Sequence, residues 1–342
     1  MAVCQSLSCP VPPRVVCTPC RKSALISHPV LSQRKVVFAL ATLCCLLWGS
    51  AFPAIKNGYA LLQIAPADVP SKMLFAGYRF FAAGVLLLVV LGLTRRDSLR
   101  LSVKNAWEVS VLGLTQTSIQ YVFFYIGLAY TTGVKGSILN ATQTFFSVLM
   151  AHFLFHNDRL SPGKTIGCLI GFLGVLVVSV RPGQLDGFGF TVLGDGFVLV
   201  SAFMLSACMI YGRKVSQTMD SMAMTGYQLT IGGAVLIVAG SLWGGVLGSF
   251  DWKAATVMLY LVLLSSVSIA LWAMLLKFNR VGLLAVFNFL IPVFGALLSA
   301  LFLGEQILES KNILALLLVC GGIWLVTREA DRPLSQRSAA RV

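Results

Sequence analysis

The residues able to do chemistry in this 342-residue chain are mostly uncharged, and they recur at helical intervals inside apolar runs. Between Gly133 and Phe155, the residues Ser137, Asn140, Gln143, Thr144 and Ser147 stand at i, i+3, i+6, i+7 and i+10, one face of a helix. From Val281 to Gly304, Ala285, Asn288, Pro292, Gly295 and Ser299 make a second small or polar stripe. A third run carries Gln116, Thr117, Gln120, Tyr121 and Tyr125, and a fourth carries Ser265, Ser268 and Trp272. Amides and hydroxyls are costly against lipid, so these faces should point at protein or at water. One stripe could be used up in bonding helix to helix. Four are better explained by a polar central cavity, with Trp48 and Trp272 as its apolar walls.

Arg79 is the one basic residue well inside an apolar run, and a charge there is a functional-site candidate. It lies about 9 Å from the end of its run at 1.5 Å per residue, so its head could also snorkel to the interface. Two readings follow: hydrogen bonding to neighbouring helices, or contact with a carboxylate or phosphate of a solute. His152 and His156 stand at i, i+4 with Asp158 nearby, a spacing that could hold a metal. With three histidines in the whole chain, no metal site is expected and His156 is placed at the interface. A Ser–His–Asp set, paired acids and a phosphate loop are all missing, so an enzyme embedded in the membrane is the weaker reading. No Asp or Glu falls in the middle of a run; Glu108, Asp195 and Glu305 are near ends, which argues against an acidic proton relay.

The elements that position these residues follow from composition. The chain is 57% hydrophobic and 11% charged with mean hydropathy +0.86, where a soluble domain carries about a quarter charged residues. It is expected to be an all-α integral membrane protein. Ten apolar segments lie at about 36–56, 73–93, 107–129, 136–155, 163–180, 193–212, 223–247, 254–276, 281–303 and 312–327. Most reach the roughly 17–25 residues that a spanning helix needs. The net charge of +14 is dispersed over short loops, which reads as a topology signal and not as a nucleic-acid patch. Nineteen basic residues fall on the side of the N-terminus and six on the other, which predicts ten spans with both termini cytoplasmic.

Residues 1–35 hold five basic residues and no acid, and read as a disordered cytoplasmic tail, an organelle transit peptide or an upstream extension of the true start. Cys17 and Cys20 form a C-x-x-C there, a weak zinc signal with Cys4 or Cys9; Cys44, Cys45, Cys168, Cys208 and Cys320 lie in apolar runs as small apolar side chains. Residues 329–342 form a second cytoplasmic tail.

Two halves of the chain resemble each other. Gly77, Tyr78 and Gly84 match Gly226, Tyr227 and Gly233, with Gln228 in the place of Arg79. Asn140 and Phe146 match Asn288 and Phe294, and the run 174–179 echoes 322–327. Each half, 36–181 and 193–328, holds five segments, an odd number, so the second must enter the membrane upside down. Inverted five-helix repeats are the architecture of alternating-access carriers.

Over residues 36 to 328 the chain resembles the drug/metabolite transporter superfamily of EamA type. The resemblance rests on Leu47-Trp48-Gly49-Ser50-Ala51-Phe52 with Lys56, on Tyr78-Arg79-Phe80, on Asn157-Asp158-Arg159-Leu160, on Pro292, and on Leu303-Gly304-Glu305. It departs from the pattern where Asn157-Asp158 stands opposite Gly304-Glu305, and where Thr144 stands opposite Pro292. The resemblance implies ten helices in two inverted repeats and a carrier of small metabolites, often an exporter. The expected partners are a small-molecule solute and the lipid bilayer, with no nucleic acid and no cofactor, in a monomer or homodimer. The expected place is a bacterial plasma membrane. Lys56, Arg79 and Lys135 bias one end of the protein toward an anionic group, as on an amino acid or organic anion. The residues expected to line the cavity are Asn140, Gln143, Thr144, Ser147, Asn288, Gln116, Gln120, Tyr121, Trp48, Trp272 and Arg79. The rival readings are a membrane-embedded enzyme and a non-transporting scaffold or sensor.

Overall fold

Helix starts are written in short polar side chains between apolar runs. Asp68 accepts the Ser71 N–H at 3.0 Å, Ser102 that of Asn105 at 3.2 Å, and Thr132 that of Lys135 at 3.1 Å. Asp220 accepts from Met222 and Ala223, and Asp251 from Ala254 at 2.8 Å. Each cap satisfies amides that have no carbonyl inside their own helix. The computed structural model describes residues 33–154, 161–179, 189–216, 218–278, 284, 286–305 and 309–330. Its helices are α1 (Arg34–Leu61), α2 (Val69–Thr94), α3 (Val103–Tyr130), α4 (Gly133–Asn140), α5 (Gln143–Leu154) and α6 (Pro162–Ser179). They continue with α7 (Phe197–Val215), α8 (Ser221–Leu242), α9 (Trp252–Phe278), α10 (Leu290–Leu303) and α11 (Ser310–Ala330).

Among the described residues there is no strand. Seven helical segments are long and apolar enough to cross a bilayer, and Pro162–Val178 and Phe287–Leu303 are shorter apolar helices. The protein is an all-α, multi-pass integral membrane bundle. Each of the ten apolar segments contains helix.

Two segments differ from the expected continuous helices. The fourth is broken at Ala141 and Thr142 into α4 and α5. There the Thr142 N–H bonds the Leu139 carbonyl at 3.1 Å and the Thr144 N–H that of Ala141 at 3.1 Å, a tightened i−3 pattern. The Thr142 hydroxyl takes the same Leu139 carbonyl at 2.7 Å, so a side chain competes for the helical ladder. The ninth contains a 3-10 turn, Val286–Phe289, directly before α10 starts at Leu290. Pro292 falls in the first turn of α10, where its missing N–H leaves no bond unmade. The polar face expected from Ser137 to Ser147 is therefore interrupted just after Asn140, and that from Ala285 to Ser299 is tightened around Asn288. Two further segments contain π turns, Gly113–Ile119 within α3 and Val192–Gly196 before α7.

Helix α2 packs along α8, and α6 along α11, with α1 against α9 and α10, and α3 against α7 and α8. The α2–α8 crossing is set by glycines. A β-carbon on Gly77 would lie 3.0 Å from the Gly233 carbonyl oxygen, and one on Gly84 2.7 Å from that of Gly226. Ascending α2 therefore meets descending α8. In the α6–α11 pair a β-carbon on Gly167 would lie 2.9 Å from the Gly322 oxygen, and one on Gly174 2.9 Å from that of Ala315. Backbones this close leave no room for a side chain. A Gly84→Leu change is expected to destabilise the bundle by about 1–3 kcal/mol through forced separation of α2 and α8. Gly321, with nothing within 4 Å of an added β-carbon, should accept Ala without loss. Melting temperatures of both variants in detergent check this; equal values contradict the close crossing.

Candidate functional site

The candidate residues divide into three groups. In the first, Arg79 on α2 is 4% exposed and does not snorkel. Its Nε donates to Ser265 Oγ of α9 at 3.0 Å, and its Nη1 to the Tyr125 hydroxyl of α3 at 2.8 Å. The guanidinium also lies 4.9 Å from the Phe80 ring. Tyr121 packs on Phe80 at 4.3 Å between ring centroids and on Tyr125 at 6.0 Å, so Arg79 and Tyr121 share one aromatic wall. Among the described residues no carboxylate bonds to Arg79. A positive charge held by neutral groups in an apolar setting is stabilised by its hydrogen bonds but keeps its field.

In the second group, Trp48 on α1 and Trp272 on α9 meet edge to face, with centroids 5.0 Å apart and planes at 62°. Trp48 is half-buried and Trp272 9% exposed. The pairing arises because α1 packs along α9 at Cys44, whose thiol faces the Ser268 carbonyl.

The third group surrounds the two helix breaks. Asn140 ends α4, Gln143 opens α5, and Asn288 lies in the 3-10 turn before α10. These three, with Thr144, Ser147 and Gln116, are half-buried. Ser206 of α7 donates to the Gln143 carbonyl at 2.7 Å, and Ser147 to the same oxygen at 2.8 Å, which ties α5 to α7. The Gln143 amide lies 4.0 Å from Met209 Sδ. No hydrogen bond joins Asn140 to Asn288.

Gln120 departs from its expected neighbours. It is 1% exposed and its Nε2 donates to Ser201 Oγ of α7 at 2.6 Å, while its Oε1 is buried without a partner. The π turn that precedes it inserts a residue into α3. Ser118 is then bonded to the Gly232 carbonyl of α8 at 2.9 Å, and Gln120 is bonded across to α7. Thr117 faces α8 as well, taking a bond from Gln228 at 3.4 Å. Gln120 thus acts between helices and is set apart from Tyr121 and Gln116.

The residues that sequence reasoning passed over are carboxylates at one end of the bundle. Glu305, just past α10, accepts the Gly133 N–H with Oε1 and the Val134 N–H with Oε2, both at 2.8 Å. Lys56 of α1 stands 3.5 Å from the same Oε1. Asp195, 0% exposed, pairs with Lys135 at 2.6 Å and accepts from Thr131 Oγ1 and the Thr191 N–H. Lys56 and Lys135 were expected to lie open to an anionic solute; each is instead matched by a carboxylate of the other half of the chain. The signals were present in Leu303-Gly304-Glu305 and in the Thr132 cap, but pairing across 172 positions has no local signature. A cavity of about 340 Å³ opens here, lined by Thr131, Thr132, Lys135, Asp195, Glu305 and Lys311 among others.

His152 lies in the last turn of α5, while His156 and Asp158 lie outside the described residues, as do the cysteines of the tail. Among the described residues no group of three metal-ligating side chains comes together.

A Lys135→Met change would leave Asp195 buried without its cation and is expected to cost about 3 kcal/mol. The double change with Asp195→Asn should recover most of that loss. Thermal unfolding of the single and double variants measures it, and a double variant no more stable than the single one contradicts the pairing.

A family model described as the EamA-like transporter family matches residues 36–180 and again 192–328. The uncharacterized transporter YvbV of Bacillus subtilis is 31% identical over 320 residues, covering 91% of this chain and 96% of that one. A protein of Salmonella typhimurium described as a probable amino-acid metabolite efflux pump is 24% identical, covering 84% of this chain and 93% of its own length. A solved crystal structure superposes with a TM-score of 0.60 at 20% identity, over 88% of this chain and all of the other, a likeness of fold. The chain belongs to the EamA-like transporter family, and is a multi-pass membrane transporter of small molecules, not an enzyme.

Proposed function

We propose that this protein is a ten-span carrier built from two inverted repeats, 36–181 and 193–328, which exports a small polar metabolite by alternating access. The observation that carries the reading is the pairing of equivalent helices. Gly77 and Gly84 of α2 are the repeat partners of Gly226 and Gly233 of α8, and the contacts run crosswise, Gly77 to Gly233 and Gly84 to Gly226. A crosswise match requires equivalent helices to run antiparallel, as they do when one repeat is inverted. The α6–α11 pair repeats the pattern, Gly167 meeting Gly322 while Gly174 meets Ala315. Irregular turns next to the equivalent asparagines, one just after Asn140 and one containing Asn288, supply amide groups where a solute can be held.

The solute class follows from charge and wall chemistry. Lys56 and Lys135 have carboxylate partners, and Arg79 has neutral ones. A buried positive charge held by neutral groups suits a solute that carries an anionic group. The tryptophan pair and Tyr121 suit an apolar part of the same solute, and the amides of Asn140, Gln143, Asn288 and Gln116 suit its polar part. An amino acid or a related organic acid fits these requirements. The description of the Salmonella relative as an amino-acid metabolite pump supports the same class.

Counterflow of radiolabelled amino acids and monocarboxylates into proteoliposomes tests the proposal. Saturable uptake should appear for at least one of them, and Asn140→Leu should lower kcat/KM about tenfold without loss of folded protein, as expected when a hydrogen bond to a charged group is removed. Absence of flux across both panels would sink the solute class. No carboxylate lies in the middle of a described helix, so uptake should also proceed at an unchanged rate after a protonophore collapses the proton gradient. A rate that falls to background under that condition would contradict exchange or facilitated movement.

A further inference from the structure

Helix α4 begins with an anion already in place. Its first two amides, Gly133 and Val134, each hold one oxygen of the Glu305 carboxylate at 2.8 Å, and Lys56 stands 3.5 Å from Oε1. The amide of Lys135 is separately satisfied by Thr132. Two parallel amide bonds at the positive end of a helix, with a cation alongside, form an anion site complete in itself. The carboxylate that fills it comes from a separate segment of the chain, just past the end of α10.

Three further observations bear on what this place can hold. Ser299 on α10 is 0% exposed, and its hydroxyl is buried with no hydrogen-bond partner. That oxygen rests against Gly133 closely enough that a β-carbon there would collide with it, and the same β-carbon would lie 3.4 Å from Glu305 Oε2. A buried hydroxyl left unpaired is costly, and a second acceptor in the site would satisfy it. Finally, the cavity of about 340 Å³ has Val134 and Glu305 among its lining residues, which gives a small molecule access to this point.

We infer that the amino end of α4, with Lys56 and Ser299, is a carboxylate-binding subsite, and that the carboxylate of the solute displaces Glu305 from it. Gly133, Val134 and Lys56 would then bind the solute, and Ser299 would donate its free hydroxyl. Displacement does more than admit the solute. Glu305 joins the end of α10 to the start of α4, so losing that contact frees the two broken helices from each other at this end. Binding and opening thereby become one event, driven by the difference in affinity between the two states. This inference rests on the proposed transport of carboxylate-bearing solutes, but its test does not require the physiological solute.

The probe is acetate, added to full-length protein in nanodiscs. Glu305→Gly empties the site, whereas Glu305→Gln keeps it filled with a neutral side chain. Glu305→Gly should melt below wild type, and sodium acetate should raise its melting temperature saturably. Sodium chloride and acetamide at equal concentration should not. Glu305→Gln should show no acetate response, and adding Lys56→Met to Glu305→Gly should weaken the apparent acetate affinity roughly threefold, as for a partly exposed ion pair. An acetate response no larger than that to chloride, or one equal in Glu305→Gly and Glu305→Gln, overturns the subsite. If Glu305→Gly cannot be purified, Glu305→Ser leaves the same space and carries the same test. Flux without an acetate response would defeat the subsite alone, while an acetate response without flux of any carboxylate solute would defeat the transport reading alone.

Discussion

A bilayer offers no hydrogen bonds, so every polar group inside it must find its partner in the protein. That constraint explains how this bundle tolerates helices that stop and restart within it. At the first break Thr142 binds the Leu139 carbonyl, and Ser206 of a neighbouring helix takes the carbonyl of Gln143. At the second, the thiols of Cys45 and Cys320 approach the carbonyls of Phe287 and Phe289 at 3.3 and 3.6 Å. Thiols are weak donors. A break held by weak donors stays intact in one conformation and costs little to rearrange in another, which suits a wall that must move.

Charge is distributed by the same constraint. Arg79 is neutralised by no carboxylate among the described residues, yet it is fixed by Tyr125 and Ser265 on two other helices. Its positive field is thus held stationary while its geometry is set by α3 and α9. Two carboxylates meet lysines at the Glu305 end, where Lys56 with Glu305 and Lys135 with Asp195 join elements of opposite halves. Ionic contacts thus tie the two halves together beside the cavity that opens at this end.

Much of this was legible in the sequence because a membrane simplifies the code. Apolar run length located the long helices among the described residues, and the glycines at 77, 84, 226 and 233 marked the surface on which α2 and α8 meet. What could not be read were departures from 3.6 periodicity. The pattern from Ser137 to Ser147 presumes one helix, and the chain instead turns at Ala141 and Thr142, where the Thr142 hydroxyl takes the Leu139 carbonyl. Likewise the π turn before Gln120 left that side chain bonded to α7, and nothing in its local sequence distinguishes a π turn from an α turn. Ion pairs between residues far apart in the chain were equally hidden. Lys56 and Lys135 looked like free cations because their carboxylates lie 249 and 60 positions away.

Alternating access makes one demand that neither a channel nor a static scaffold shares: the two ends must move in opposite senses. Pulsed electron–electron distance measurement on spin labels tests it directly, with one pair at Thr132 and Ser310 near Glu305 and another at Phe153 and Thr218 toward the opposite end. Glu305→Gly, which removes the contact between Glu305 and the start of α4, should lengthen the first distance while shortening the second. Distances that stay fixed in both pairs, or that widen together, would contradict the account.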